Sequence, residues 1–142
     1  MLYPSIVAAE AALEKRWAWP NFRVSELACR CGGRFCGGAY WHAPDFLDRL
    51  QRLRAACARP LIITSAHRCP QWNAWVGGAP ASRHKTMAVD IRLRGHDRIA
   101  LRALAETAGF AGFGLARSFL HLDTRPRPAV WYYPGSFELW QT

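Results

Sequence analysis

The sequence predicts an α+β fold, a small antiparallel sheet packed with helices, in a single domain over residues 1–142. Three observations predict it. Hydrophobic residues make up 51% of the chain and charged residues only 20%, which is enough apolar material for one buried core at this length. Helical periodicity comes mostly early in the chain. Short β-branched or alternating segments come mostly late, and that segregation favours helices packed on one sheet.

Residues 5–17, rich in alanine and glutamate, read as a short amphipathic helix ending before Pro20, so residues 1–20 form a helical extension. Phe22 to Ala28 reads as an extended lead-in. Gly32, Gly33, Gly37 and Gly38 surround Cys31 and Cys36 and make that segment a loop. Ala43-Pro44-Asp45 opens a helix, because proline and an acid belong in a first turn. Its apolar face is Phe46, Leu47, Leu50 and Leu53, and Pro60 ends it. Leu61 to Ser65 is a short strand with a β-branched centre. Pro70 to Ser82 reads as a long loop. Met87 to Leu93 alternates, with Ala88, Asp90 and Arg92 on one side and Met87, Val89, Ile91 and Leu93 on the other. After Gly95-His96-Asp97, a helix runs from Arg98 to about Ala108. Phe110 to Leu115 and Ser118 to Asp123 read as two strands joined by a turn. The tail, rich in proline and aromatic residues, carries no assigned element.

The net charge is +9, which favours an anionic partner: nucleic acid, an acidic membrane surface or an anionic polymer such as the cell wall. Nucleic acid is not expected, because no recognition motif is present and the aromatic residues are not interleaved with basic ones. No apolar run approaches the roughly 18 residues of a membrane span, so no membrane insertion is expected. The first residues lack a charged start followed by an apolar stretch, so the expectation is cytoplasmic synthesis without a signal peptide. Of the five cysteines, Cys29, Cys31 and Cys36 cluster, while Cys57 and Cys69 stand apart. The Cys-x-Cys-x4-Cys spacing misses the paired pattern of a zinc knuckle and has no fourth partner nearby, so free thiols in a reducing compartment are expected.

His84, Asp90 and His121 are three polar groups set in apolar sequence. Two neutral imidazoles and one carboxylate make a catalytic type of zinc site, with the fourth position open. Either histidine alone would read as a hydrogen-bonded core imidazole. An acid flanked by Val89 and Ile91 needs a cation or hydrogen bonds to offset its burial. Trp72, Trp75, Trp131 and Trp140 are candidates for a substrate groove, although such residues are more often core.

These segments resemble the zinc D-alanyl-D-alanine carboxypeptidases and related LAS-type peptidoglycan metallopeptidases, in small bacterial or phage-type form. The resemblance covers residues 21–133, the family-like core. It rests on Phe22-x-x-Ser25-Glu26-Leu27-Ala28-Cys29, Ile62-Ile63-Thr64-Ser65-Ala66-His67-Arg68-Cys69-Pro70-x-x-Asn73, Val76-Gly77-Gly78-Ala79-Pro80-x-Ser82-x-His84 and His121-Leu122-Asp123-Thr124. It implies a zinc peptidase that cleaves the peptide stems of peptidoglycan, as a D,D-carboxypeptidase or an endopeptidase. His84, Asp90 and His121 would bind Zn2+. Arg68 would hold a substrate carboxylate, with His67 and Ser82 also at the substrate. A phage or prophage origin would supply the route to the wall, with phage tail or other virion proteins as further partners.

The chain departs from the family pattern at three places. His84 and Asp90 are six apart where seven is usual, with the usual glycine missing between Thr86 and Met87. Ser118 stands where a glutamate general base is common, which leaves Asp123 as the available carboxylate. Asp123 could be that base, or an acid that orients His121, or a ligand in exchange with it. His67 replaces a common tyrosine and either contacts substrate or fills space. The missing glycine and glutamate favour a rival reading, a non-catalytic wall-binding or tail-associated module with a degenerate zinc site.

Overall fold

A computed structural model describes residues 1–141. The α+β architecture is as expected from the sequence. In chain order the elements are β1 (Leu2–Tyr3), α1 (Ile6–Leu13), α2 (Val24–Leu27), β2 (Tyr40–Trp41), α3 (Pro44–Cys57), β3 (Ile63–Ser65) and α4 (Pro70–Trp75). After a 3-10 turn at Arg83–Lys85 come β4 (Val89–Arg92), α5 (Arg98–Ala108), β5 (Gly112–Leu115), β6 (Phe119–Asp123) and β7 (Ala129–Tyr132), then a last 3-10 turn at Phe137–Trp140.

The main sheet has the order β3-β4-β6-β5-β7. All its pairings are antiparallel except β5 with β7, which is parallel. The tail therefore contributes an unexpected strand: residues 124–128 pass the N-terminal end of β5, and β7 lies along its free edge. A small second ladder pairs β1 with β2.

Alternation along the strands separates two faces of the main sheet. Val89 and Ile91 of β4, Leu120 and Leu122 of β6, and Phe113 and Leu115 of β5 are buried in one core with Phe46, Leu47, Leu50 and Leu53 of α3 and Leu101, Ala105 and Ala108 of α5. The N-terminal segment joins the same core through Tyr3, Ala9, Leu13 and Trp19. Pro44 and Asp45 open α3 as the sequence indicates, and Ala58 closes it in a left-handed conformation at φ 52°. The Asp97 carboxylate accepts the Ala100 amide at 3.0 Å and caps α5.

Two segments differ from expectation for local reasons. The lead-in at 22–28 contains the short helix α2, because the Glu26 carboxylate accepts the Arg23 amide at 2.9 Å and closes a turn. The long loop at 70–82 begins with α4, where Pro70 occupies the first turn and the Cys69 sulfur accepts the Trp72 amide at 3.4 Å. No helix among the described residues is long and apolar enough to cross a membrane.

Candidate metal centre and cleft

The second face of the sheet carries the polar residues. Cross-strand pairing places Ser65 opposite Asp90, Asp90 opposite His121, His121 opposite Gly114 and Gly114 opposite Trp131. One row across five strands thus holds two of the predicted ligands between a serine and a tryptophan. His84 reaches the row from the 3-10 turn, where the Ser82 hydroxyl accepts its amide at 3.2 Å. The shortened spacing to Asp90 does not separate the two side chains: His84 Nε2 lies 3.1 Å from Asp90 Oδ1.

His121 Nδ1 lies 3.0 Å from the same Asp90 oxygen and 3.1 Å from His84 Nε2. The outer nitrogen of each ring is already engaged. His84 Nδ1 donates to the Ala66 carbonyl at 2.7 Å, and His121 Nε2 donates to Asp123 Oδ2 at 2.8 Å. These bonds leave the two facing nitrogens with lone pairs, aimed at a carboxylate oxygen. Three lone-pair donors meeting in a buried site repel one another unless a cation sits among them. Nitrogen and oxygen ligands about 2 Å from one zinc ion lie roughly 3.3 Å apart at the tetrahedral angle, so the donor set fits such an ion.

Asp123 is fully buried, and both its oxygens are occupied. Oδ1 accepts the Arg125 amide at 3.1 Å and Arg125 Nε at 2.8 Å, while Oδ2 accepts Arg125 Nη2 at 2.6 Å beside the His121 bond. Burial alone would raise the Asp123 carboxyl. Hydrogen bonds from Arg125 and His121 outweigh it and hold the group well below the ordinary carboxylate range.

A cleft of about 490 Å³ opens over the trio. Arg68, Ser82, Arg125, Trp131 and Tyr133 share its wall with His84, Asp90 and His121. Arg68 is fixed from several sides: Nε donates to Ser65 Oγ and Nη1 to Asn73 Oδ1, each at 3.2 Å, and its amide donates to the His84 carbonyl at 2.6 Å. Its Nη2 stands 3.8 Å from Asp90 Oδ2. The Arg125 guanidinium lies over the Trp131 ring at 4.6 Å, and that ring sits 5.2 Å from His121.

His67 is absent from the cleft wall. It is buried, its Nδ1 lies 2.7 Å from the Thr86 carbonyl oxygen, and its ring is 6.4 Å from that of Trp41. Burial pushes the His67 imidazole down, which keeps it neutral as the donor of that bond. Of the four tryptophans marked for a groove, only Trp131 lines this cleft. Ser118 is exposed and lies off the wall, and Asp90 is the one acid on it. Sequence reasoning missed Arg125 and Tyr133, and it placed Asn73 in the family-like motif without giving it a role. Arg125 carried a usable signal, since it lies two residues beyond Asp123; Tyr133 carried none.

No curated protein matches the chain. The family model described as peptidase M15 matches residues 20–123, a stretch that includes His84, Asp90, His121, Arg68 and Asp123 and covers well over half of the chain. With its metal-type donor set in place, the chain belongs to the peptidase M15 family, the zinc peptidases that its motifs resemble.

Proposed function

We propose that the protein is a zinc-dependent peptidase that cleaves the peptide stems of bacterial peptidoglycan, as a D,D-carboxypeptidase or an endopeptidase. The observation that carries this reading is the convergence of His84 Nε2, His121 Nδ1 and Asp90 Oδ1 beneath a cleft that also contains Arg68. A zinc ion supplies Lewis acidity at such a site, polarising a carbonyl oxygen and lowering the pKa of water to about 7.

The chain's own residues bind and orient. Arg68, held by Ser65 and Asn73, presents the planar guanidinium that suits a substrate carboxylate. Asp123 and Arg125 lock the His121 ring in one tautomer. Its burial and its full set of hydrogen bonds support this orienting role over that of general base. Trp131 offers an apolar surface beside His121 for the substrate backbone. The net charge of +9 suits an anionic wall polymer. A phage or prophage origin, with delivery by a virion, accompanies the reading on the strength of the resemblance; finding the protein in purified virions would support it.

One observation favours a second reading. Asp90 is the one acid on the cleft wall, and Ser118 replaces the common glutamate. A wall-binding or tail-associated module with a degenerate site would look the same. Zinc quantification, together with release of fragments from purified cell walls with and without chelator, separates the two. Bound zinc with chelator-sensitive release supports the peptidase. Stoichiometric zinc without release, while the protein still sediments with the walls, supports the module.

A further inference from the structure

The cysteines that look unrelated in the sequence meet in the fold. Cys29, Cys31 and Cys36 lie on the loop between α2 and β2, and Cys69 lies at the start of α4. Their four Sγ atoms all fall within 4.8 Å of one another, with Cys31 and Cys36 3.5 Å apart. The fourth partner that the local spacing lacks is supplied from more than thirty residues away. Left-handed turns at Gly32 and Gly33, with φ 67° and 83°, double the loop back so that Cys36 returns to Cys31.

Backbone amides point at every one of these sulfurs. Cys29 Sγ accepts the Cys69 amide at 3.4 Å. Cys31 Sγ accepts those of Phe35 and Cys36 at 3.4 and 3.3 Å. Cys36 Sγ accepts the Ala39 amide, and Cys69 Sγ the Trp72 amide, each at 3.4 Å. Amide donors aimed at sulfur suit a metal-bound thiolate, because they stabilise the negative charge it keeps in the bound state. Four sulfurs this close, each met by an amide, suit one shared cation. A tetrahedral ion with metal–sulfur bonds of about 2.3 Å places its sulfurs roughly 3.8 Å apart, which matches the observed cluster. The Cys31–Cys36 separation is far beyond a disulfide bond of about 2.05 Å.

We propose that Cys29, Cys31, Cys36 and Cys69 bind one structural zinc ion, separate from the site of His84, Asp90 and His121. Four sulfur ligands select zinc or iron, and with all four corners filled by protein no position remains for water or substrate. The ion ties the loop at 29–39 to α4. Cys69 directly follows Arg68, and Asn73 of α4 holds the Arg68 guanidinium, so the clamp also fixes one wall of the cleft. This role differs from that of the His-Asp-His centre, and the site stands whether or not the protein cleaves peptidoglycan.

The test uses the full chain, isolated under reducing conditions. Elemental analysis is expected to give about two zinc ions per chain, and about one in the His84→Ala/His121→Ala variant. X-ray absorption at the zinc edge of that variant is expected to show a shell of four sulfurs at about 2.3 Å. Cys69→Ser is expected to lose the retained ion, and stripping it with a mercurial to speed amide exchange across residues 68–75. If Cys69→Ser does not fold, the absorption spectrum of the histidine variant decides alone. A folded histidine variant without metal, a nitrogen and oxygen shell, bound iron, or disulfides among these four cysteines in the fresh protein would each overturn the proposal.

Discussion

Gly112 and Asp123 face each other across the β5–β6 ladder, and the Asp123 carboxylate fills the space that a side chain on Gly112 would need. The glycine is a condition of the metal centre, because it lets a buried acid stand behind His121. Gly114 does the same one step along, where an added Cβ would come within 2.8 Å of His121 Cβ and 2.9 Å of the Trp131 ring.

Gly112→Ala should therefore push Asp123 off His121. Zinc affinity is expected to fall on the order of 10- to 100-fold, the usual effect of losing a ligand's supporting hydrogen bond. Overpacking should also destabilise the fold by about 1–3 kcal/mol. Competition with a chromophoric chelator reads the first effect and thermal melting the second. Unchanged zinc affinity would disconnect Asp123 from the centre.

Asp123→Asn separates the two roles open to this residue. If it orients His121, the variant should bind zinc more weakly and regain most of its turnover in excess zinc. If it were the general base, zinc content would hold while turnover vanished at every zinc concentration. Titrating activity against free zinc distinguishes these outcomes.

Arg68→Lys keeps the charge but loses the planar fork that Ser65 and Asn73 brace. One lost charged hydrogen bond, worth about 1.5–3 kcal/mol, should lower kcat/KM roughly 10- to 100-fold for peptides with a free carboxylate. Peptides amidated at that carboxylate should lose much less. Equal losses on both would remove Arg68 from substrate recognition.

Off the cleft wall, Tyr40 is fully buried, and its hydroxyl lies 2.9 Å from His42 Nδ1. Burial, with Tyr3 beside it, raises the phenol above its ordinary value near 10. The unfolded chain would release this proton first, so between the two pKa values the folded state holds more protons. Stability is then full below pH 10 and declines as pH rises beyond it. Denaturant titrations from pH 8 to 11 should show a steeper loss for the wild type than for Tyr40→Phe. Parallel curves would show that Tyr40 does not contribute to the decline.

The parts of the molecule that could be read in advance are those in which a residue carries its own signal. His84, Asp90 and His121 are conspicuous because each is a polar ligand type in apolar surroundings, and the fold brings all three together. The apolar stripe of α3 and the alternation of β4 follow from periodicities of 3.6 and 2. What stayed hidden depends on contacts between distant segments. Cys69 gives no local hint that it joins a loop forty residues earlier. The β7 pairing is masked by Pro126, Pro128 and Pro134, which make its sequence look like a tail. Helix α4 is only one turn and a half long, and a cysteine caps it where a serine or aspartate would have announced it.

The parallel edge strand lies beyond the stretch shared with the peptidase family, yet Trp131 and Tyr133 border the place where substrate would rest. The metal ligands and Arg68 thus belong to the shared stretch, while one flank of the cleft is built by the residues after it. A fragment trimmed to the shared stretch would keep every metal ligand while losing a flank of the chamber. Grafting other tails after Arg125 would be a way to reshape that flank while keeping every metal ligand and the arginine that holds Asp123.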